Sequence, residues 1–239
     1  MSSRDAAGAA TSRLHAAIPV GPGLYGDLAV PTGAVGVTIF AHGSGSSRFS
    51  PRNRLVADAL NRRGIATLLF DLLTPAEEPL RSSVFDVDLL GGRLEQTTLW
   101  LLEHPLADAL APCYFGASTG AAAALVAAAR LGPVVRAVVS RGGRPDLAGA
   151  SLPQVQSPTL LVVGGDDRAV AEFNRQALAE LACEARLAIV RGAGHLFEEP
   201  GALERVAGLA GDWFAGHLAG AAAARETAGG IDVEIVDPA

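Results

Sequence analysis

Gly116-Ala117-Ser118-Thr119-Gly120 lies between the short apolar run Cys113-Tyr114-Phe115 and the alanine-rich stretch Ala121–Ala129. The first run has strand length and the second has high helix propensity, so the segment predicts strand, sharp turn, helix. In that setting G-x-S-x-G describes a strained turn that lifts a serine hydroxyl above a sheet. The flanking glycines are needed because side chains there would collide with the neighbouring strand and helix. The amides at the helix start then point toward developing negative charge. The competing reading makes Ser118 or Thr119 a helix N-cap and the glycines a tight turn.

Outward from this motif the same alternation continues. Val35–Phe40, Ile65–Phe70, Val134–Ser140, Thr159–Val163 and Ala185–Val190 are apolar runs of strand length. Arg52–Arg63 and Val84–Glu103 carry helical spacing, and helices are expected at about 170–182 and 201–218. Runs this apolar suit strands buried on both faces, which predicts an α/β fold with a mostly parallel central sheet and helices on either side. Leu14–Val20 and Leu24–Val30 flank a Gly-Pro-Gly turn and predict an antiparallel pair at one edge. The expected organisation is a flexible N-terminus over 1–13, one domain over 14–218 and a tail over 219–239. Alternation in Ile231–Val236 leaves that tail either an edge strand or, the preferred reading, a loose terminus.

A serine hydroxyl is a weak nucleophile and needs a base that is itself held in place. His195 stands in the glycine-rich loop Arg191–Phe197 after the last strand run, and Val163-Gly-Gly-Asp166-Asp167-Arg168 follows the run before it. Asp167 fits G-x-x-D-x-x-V and is preferred as the orienting acid; Asp166 is the alternative, pairing with Arg168 or capping the next helix. The chain order is Ser118, Asp167, His195. His42-Gly43-Ser44-Gly45-Ser46 follows another strand run, so the Ser44 amide and the Thr119 amide are the expected oxyanion donors. His42 is expected to bond to loop backbone.

Composition excludes several other classes. The 239 residues include 49% hydrophobic and 18% charged residues with a net charge of −6, which suits a folded, soluble chain and not a nucleic-acid surface. All 19 basic residues are arginine, and HGSGSS lacks the lysine and spacing of a phosphate-binding loop. Two cysteines, Cys113 and Cys183, fit neither a disulfide scaffold nor a metal motif. The N-terminal residues lack a secretory apolar stretch, and no run has membrane-spanning length, so a cytoplasmic protein with no metal, cofactor, nucleic-acid or membrane partner is expected.

GASTG, VVGGDDRAV and GAGHLFEEPGALE together resemble the α/β-hydrolase superfamily, and the compact layout over about residues 14–218 resembles its dienelactone-hydrolase-like branch. HGSGSSRFSPRN is similar to the stretch after the third strand in small bacterial members. Dienelactone hydrolases proper use cysteine where this chain has Ser118, so the resemblance implies hydrolysis of esters or lactones in general. Only residues 141–158 separate two strand runs where many lipases carry a helical lid, so no lid domain and an open, shallow site for small acyl groups are expected. Arg48, Arg52 and Arg141 fall on the same rim and are candidates for binding a substrate carboxylate, against ordinary surface salt bridging. The expected activity is a serine hydrolase acting through an acyl-enzyme on a small ester or lactone. Acyl transfer with the same three residues and a noncatalytic binding module are the alternatives. The final strand run offers a homodimer contact.

Overall fold

The computed structural model describes residues 11–17, 23–218 and 233–236. The apolar runs become strands buried at nearly every position: β3 (Val37–Ala41), β4 (Ala66–Phe70), β5 (Pro112–Ala117), β6 (Val138–Arg141), β7 (Thr159–Gly164) and β8 (Ala185–Val190). These six are parallel. β2 (Tyr25–Pro31) adds antiparallel to β4, β1 (Thr11–Ala17) to β2, and β9 (Val233–Val236) to β8. The nine strands run in the order β1-β2-β4-β3-β5-β6-β7-β8-β9. Parallel neighbours need long crossovers, and the helices supply them on both faces.

Helices α1 (Pro51–Arg62) and α6 (Ala202–Leu218) cover one face, over a core that includes Phe40, Phe115, Val139 and Phe214. α3 (Val87–Leu102), α4 (Thr119–Leu131) and α5 (Arg168–Glu180) cover the other, over Leu68, Tyr114, Val138 and Leu161. Every residue of α4 from Thr119 to Ala128 is buried. Small side chains let this helix lie close on the sheet while it also packs against α3, where Gly91 meets Val126. α1 starts cleanly because Ser50 accepts the Asn53 N–H and Pro51 presets the first turn.

Four boundaries differ from the sequence expectations. β1 begins at Thr11, inside the segment expected to be a flexible N-terminus; residues 1–10 and 18–22, with most of the Gly-Pro-Gly turn, lie outside the described residues. β6 starts only at Val138, because Gly132–Val134 form a 3-10 turn. The helical pattern from Val84 divides into a one-turn α2 (Arg81–Val84) and α3, which Asp86 caps by accepting the Leu89 N–H. The tail is not a loose end at 233–236, since β9 extends the sheet along β8. Among the described residues no helix is long and apolar enough to cross a membrane.

The loops after β3, β5, β6, β7 and β8 all emerge at the carboxyl edge of the sheet. This edge carries the residues singled out by sequence.

Candidate active site

Ser118 follows β5 and precedes the first residue of α4 with φ 52° and ψ −121°. A non-glycine residue holds such a conformation at a cost of about 1–3 kcal/mol, and only where its surroundings over-determine it. The surroundings are visible: a methyl group on Gly120 would lie 2.2 Å from the Ala41 carbonyl oxygen, and one on Gly116 would lie 2.4 Å from Ala121 Cα. Helix and strand therefore close on the turn from both sides. Ser118 makes no capping bond to the helix. Its amide donates to the Arg141 carbonyl (3.2 Å).

His195 and Asp167 meet. His195 Nδ1–H donates to Asp167 Oδ2 over 2.6 Å, with the Asp167 side chain only 16% exposed. Asp167 holds the N-cap position of α5 yet does not cap it, so its carboxylate is left for the imidazole. Asp166 is exposed, and its amide, not its side chain, ties the loop by donating to the Ala193 carbonyl. The loop of His195 is braced by Glu199, which accepts the Gly194 N–H (2.9 Å), and by buried Phe197 at φ 55°. Ser118 and Phe197 are the two non-glycine residues with positive φ among those described. The imidazole lies against Gly142: a methyl group there would stand 3.6 Å from His195 Cε1. Gly142 directly follows Arg141, whose carbonyl takes the Ser118 amide, so one short stretch of backbone touches both the imidazole and the serine turn.

The Ser44 amide is engaged. It donates to Thr119 Oγ1 over 3.0 Å, which brings the two expected oxyanion donors together but occupies one of them. The Thr119 amide, at the open end of α4, has no backbone acceptor among the described residues. His42 is buried and purely supportive: Nε2 accepts the Leu72 N–H (2.9 Å) and Nδ1–H donates to the Gly43 carbonyl (3.0 Å). Burial lowers its pKa below the ordinary histidine value, keeping it neutral.

A cavity of about 760 Å³ opens beside Ser44 and Thr119. The connection from β4 to α3 lines it with Leu73, Pro75 and Val84, and α3 adds Leu90. That connection is pinned by a bidentate ion pair of Arg93 with Glu77 (2.7 Å and 2.7 Å), and Glu77 also accepts the Thr74 amide and hydroxyl. These bonds hold the Glu77 carboxyl down to a pKa of about 2. Sequence spacing carries no sign of this clamp, because its partners are 16 residues apart on different elements.

The three arginines separate. Arg48 is neutralised by Asp71, which accepts its amide and its guanidinium, with Asp27 at 3.8 Å; the guanidinium also stacks on Phe49, 4.0 Å from the ring centre. Arg52 pairs with Glu198 at the surface (3.2 Å). Arg141 is 7% exposed, lies 5.8 Å from the centre of the Phe197 ring, and its Nε has no hydrogen-bond partner among the described residues. Burial, with a smaller push from Arg52, pulls its pKa down to about 10. Acids of the chain thus engage the guanidinium groups of both Arg48 and Arg52.

No family model matches the sequence. The structure is similar to dienelactone hydrolase from Anabaena variabilis, with 53% identity and a TM-score of 0.83 over 87% of this chain and 98% of that one. It shares its fold with Est1E from Butyrivibrio proteoclasticus (15% identity, TM-score 0.71) and with the dienelactone hydrolase-like promiscuous phosphotriesterase P91 from metagenomic libraries (18%, 0.71), each over 87% of this chain and 99% of the other. Two curated Mycobacterium tuberculosis proteins, each named "Putative phosphoribosyl transferase", are 60% identical over 195 residues, which is 82% of this chain; the chain spans 44% of their length. Fold, strand order and the relative covered almost end to end agree: the chain belongs to the dienelactone-hydrolase-like branch of the α/β-hydrolases.

Proposed function

We propose that this chain is a serine hydrolase that cleaves carboxylic esters or lactones through an acyl-enzyme, with Ser118 as nucleophile, His195 as base and acid, and Asp167 as orienting acid. The observation that carries the reading is the 2.6 Å His195–Asp167 pair, together with a serine turn strained to φ 52° on the same edge of the sheet. Ser118 Oγ adds to the carbonyl carbon while its proton passes to His195 Nε2, and Asp167 stabilises the imidazolium without taking the proton. The Thr119 amide receives the oxyanion. The Ser44 amide joins it by leaving its acceptor, Thr119 Oγ1. Collapse breaks the ester C–O bond, and the leaving alcohol takes the proton from His195. Water then repeats the sequence on the acyl-enzyme and regenerates Ser118.

Phosphoribosyl transfer, the activity in the names of the two longer relatives, is not proposed for this chain. The chain spans only 44% of those relatives, so the activity in their names is not carried over to it. Acyl transfer to another alcohol or amine uses the same three residues, and product analysis with added alcohols separates it from hydrolysis.

The test is turnover of p-nitrophenyl esters by the chain and by Ser118→Ala. Hydrolysis that falls at least 1,000-fold in a folded Ser118→Ala protein is the expected result (~10³-fold or more for a lost nucleophile). Equal rates for the two proteins contradict the reading.

A further inference from the structure

The serine turn divides the space around it into two sides. His195 must protonate the leaving oxygen, so the alcohol portion of an ester lies toward His195 and its bracing loop. With the carbonyl oxygen on the Thr119 amide, the acyl substituent then points away from His195. The 760 Å³ cavity is lined by Thr119, Ser44 and Gly43, the last packed against Ser118, and not by Ser118, His195 or Phe197. At about 30 Å³ for a water-sized group, the space accommodates on the order of 25 such groups, far more than an acetyl chain.

The charge of its walls is equally specific. Arg48 is the one cation among the lining residues, and Asp71 holds its guanidinium while Phe49 covers it. Glu78 stands exposed on the same rim, so the lining carries one net negative charge: Arg48 against Asp71 and Glu78. Leu73, Pro75, Pro79, Val84 and Leu90 supply the apolar surface. An aliphatic chain gains by leaving water here, about 0.8 kcal/mol per buried methylene. A carboxylate would be desolvated beside like charge with no unengaged cation to meet it.

We infer that this cavity is the acyl subsite, and that it selects uncharged medium-length acyl groups over both acetyl and carboxylate-bearing ones. This rests on the serine-hydrolase reading and deepens it. Four p-nitrophenyl esters test it: acetate, butanoate, octanoate and the monosuccinate, whose acyl chain matches butanoate in length but ends in a carboxylate. The expected kcat/KM for octanoate exceeds that for acetate at least tenfold, and butanoate exceeds monosuccinate at least tenfold. Val84→Trp, which fills the cavity from a half-buried position, lowers the octanoate-to-acetate ratio at least fivefold. Glu78→Gln narrows the butanoate-to-monosuccinate gap severalfold, a readout that shape alone does not move.

Acetate equal to or faster than octanoate overturns the proposal, as does monosuccinate faster than butanoate. A monosuccinate preference abolished by Arg141→Met places a carboxylate subsite under Phe197 and overturns it as well. Absence of turnover on all four esters, together with an unlabelled Ser118 after fluorophosphonate treatment, removes the underlying reading. Labelling of Ser118 with an inverted chain-length profile removes only this one.

Discussion

His195 and Asp167 are joined by a 2.6 Å hydrogen bond although they come from different loops and are 28 residues apart. The exposed Asp166 beside them has no such contact. The two adjacent aspartates therefore separate cleanly. Asp167→Asn is expected to lower kcat by about 10³–10⁴-fold, since the amide favours the wrong imidazole tautomer. Asp166→Asn should change kcat less than about threefold, because its side chain leaves the imidazole alone. Parallel kinetics on the two folded variants check this, and equal losses would remove the special place of Asp167.

Gly120→Ala should not yield a stable native protein. Its Cβ would stand 2.2 Å from the Ala41 carbonyl and 2.5 Å from the His42 carbonyl, both backbone atoms that cannot swing aside. The expected loss is about 3 kcal/mol or more, in the range of severe overpacking. Thermal denaturation of Gly120→Ala against the exposed helical control Gly216→Ala, where a methyl group meets nothing within 4 Å, measures it.

Two contacts give different reasons for losing stability in acid. His42 is kept neutral by burial, so below pH 6.5 the unfolded chain binds a proton that the folded one refuses, and stability falls as pH drops. Glu77 has its pKa held down to about 2 by Arg93, so its contribution is complete above about pH 4.5 and is lost as pH falls toward 2. Melting temperatures from pH 7 to pH 3 should show His42→Gln flattening the upper part of the decline and Glu77→Gln the lower. A slope unchanged by either variant contradicts the corresponding assignment.

Arg141→Met is expected to stabilise the protein. The Nε of the buried guanidinium has no acceptor among the described residues, and burial pulls its pKa down to about 10, so the charged form is penalised in the fold. Methionine fills similar space without that charge. A rise in Tm of several degrees is expected for a chain of this length. A fall of similar size means that the guanidinium has an anionic partner in solution.

Much of this is legible in the sequence because it is written in local pattern. The unbroken aliphatic run Leu160–Val163 announces a strand buried on both sides, and GASTG announces its turn by glycine spacing. Asp167 and His195 are readable because each follows a strand in the expected chain order. What stays hidden depends on side-chain reach across the fold. Arg48 looks like a substrate ligand until Asp71 is seen beneath it, 23 residues away. The Ser44 amide looks unengaged until the Thr119 hydroxyl is found on it, 75 residues away. The Glu77–Arg93 clamp, which pins the connection lining the cavity, joins residues 16 apart and is encoded by no periodicity. β9 is hard to read because four residues after an Ala/Gly-rich stretch carry too little signal to separate an edge strand from a loose end.

The central claim is that Ser118 is made nucleophilic by its neighbours. Peptide-mapped mass spectrometry after brief fluorophosphonate treatment tests it most directly, comparing the chain with His195→Ala and Asp167→Asn. The account predicts one phosphonate adduct, on the peptide containing Ser118, formed at least 100-fold more slowly in His195→Ala (general-base contributions being about 10²–10⁴-fold). An adduct on another residue, or labelling of Ser118 at the same rate without His195, would contradict it.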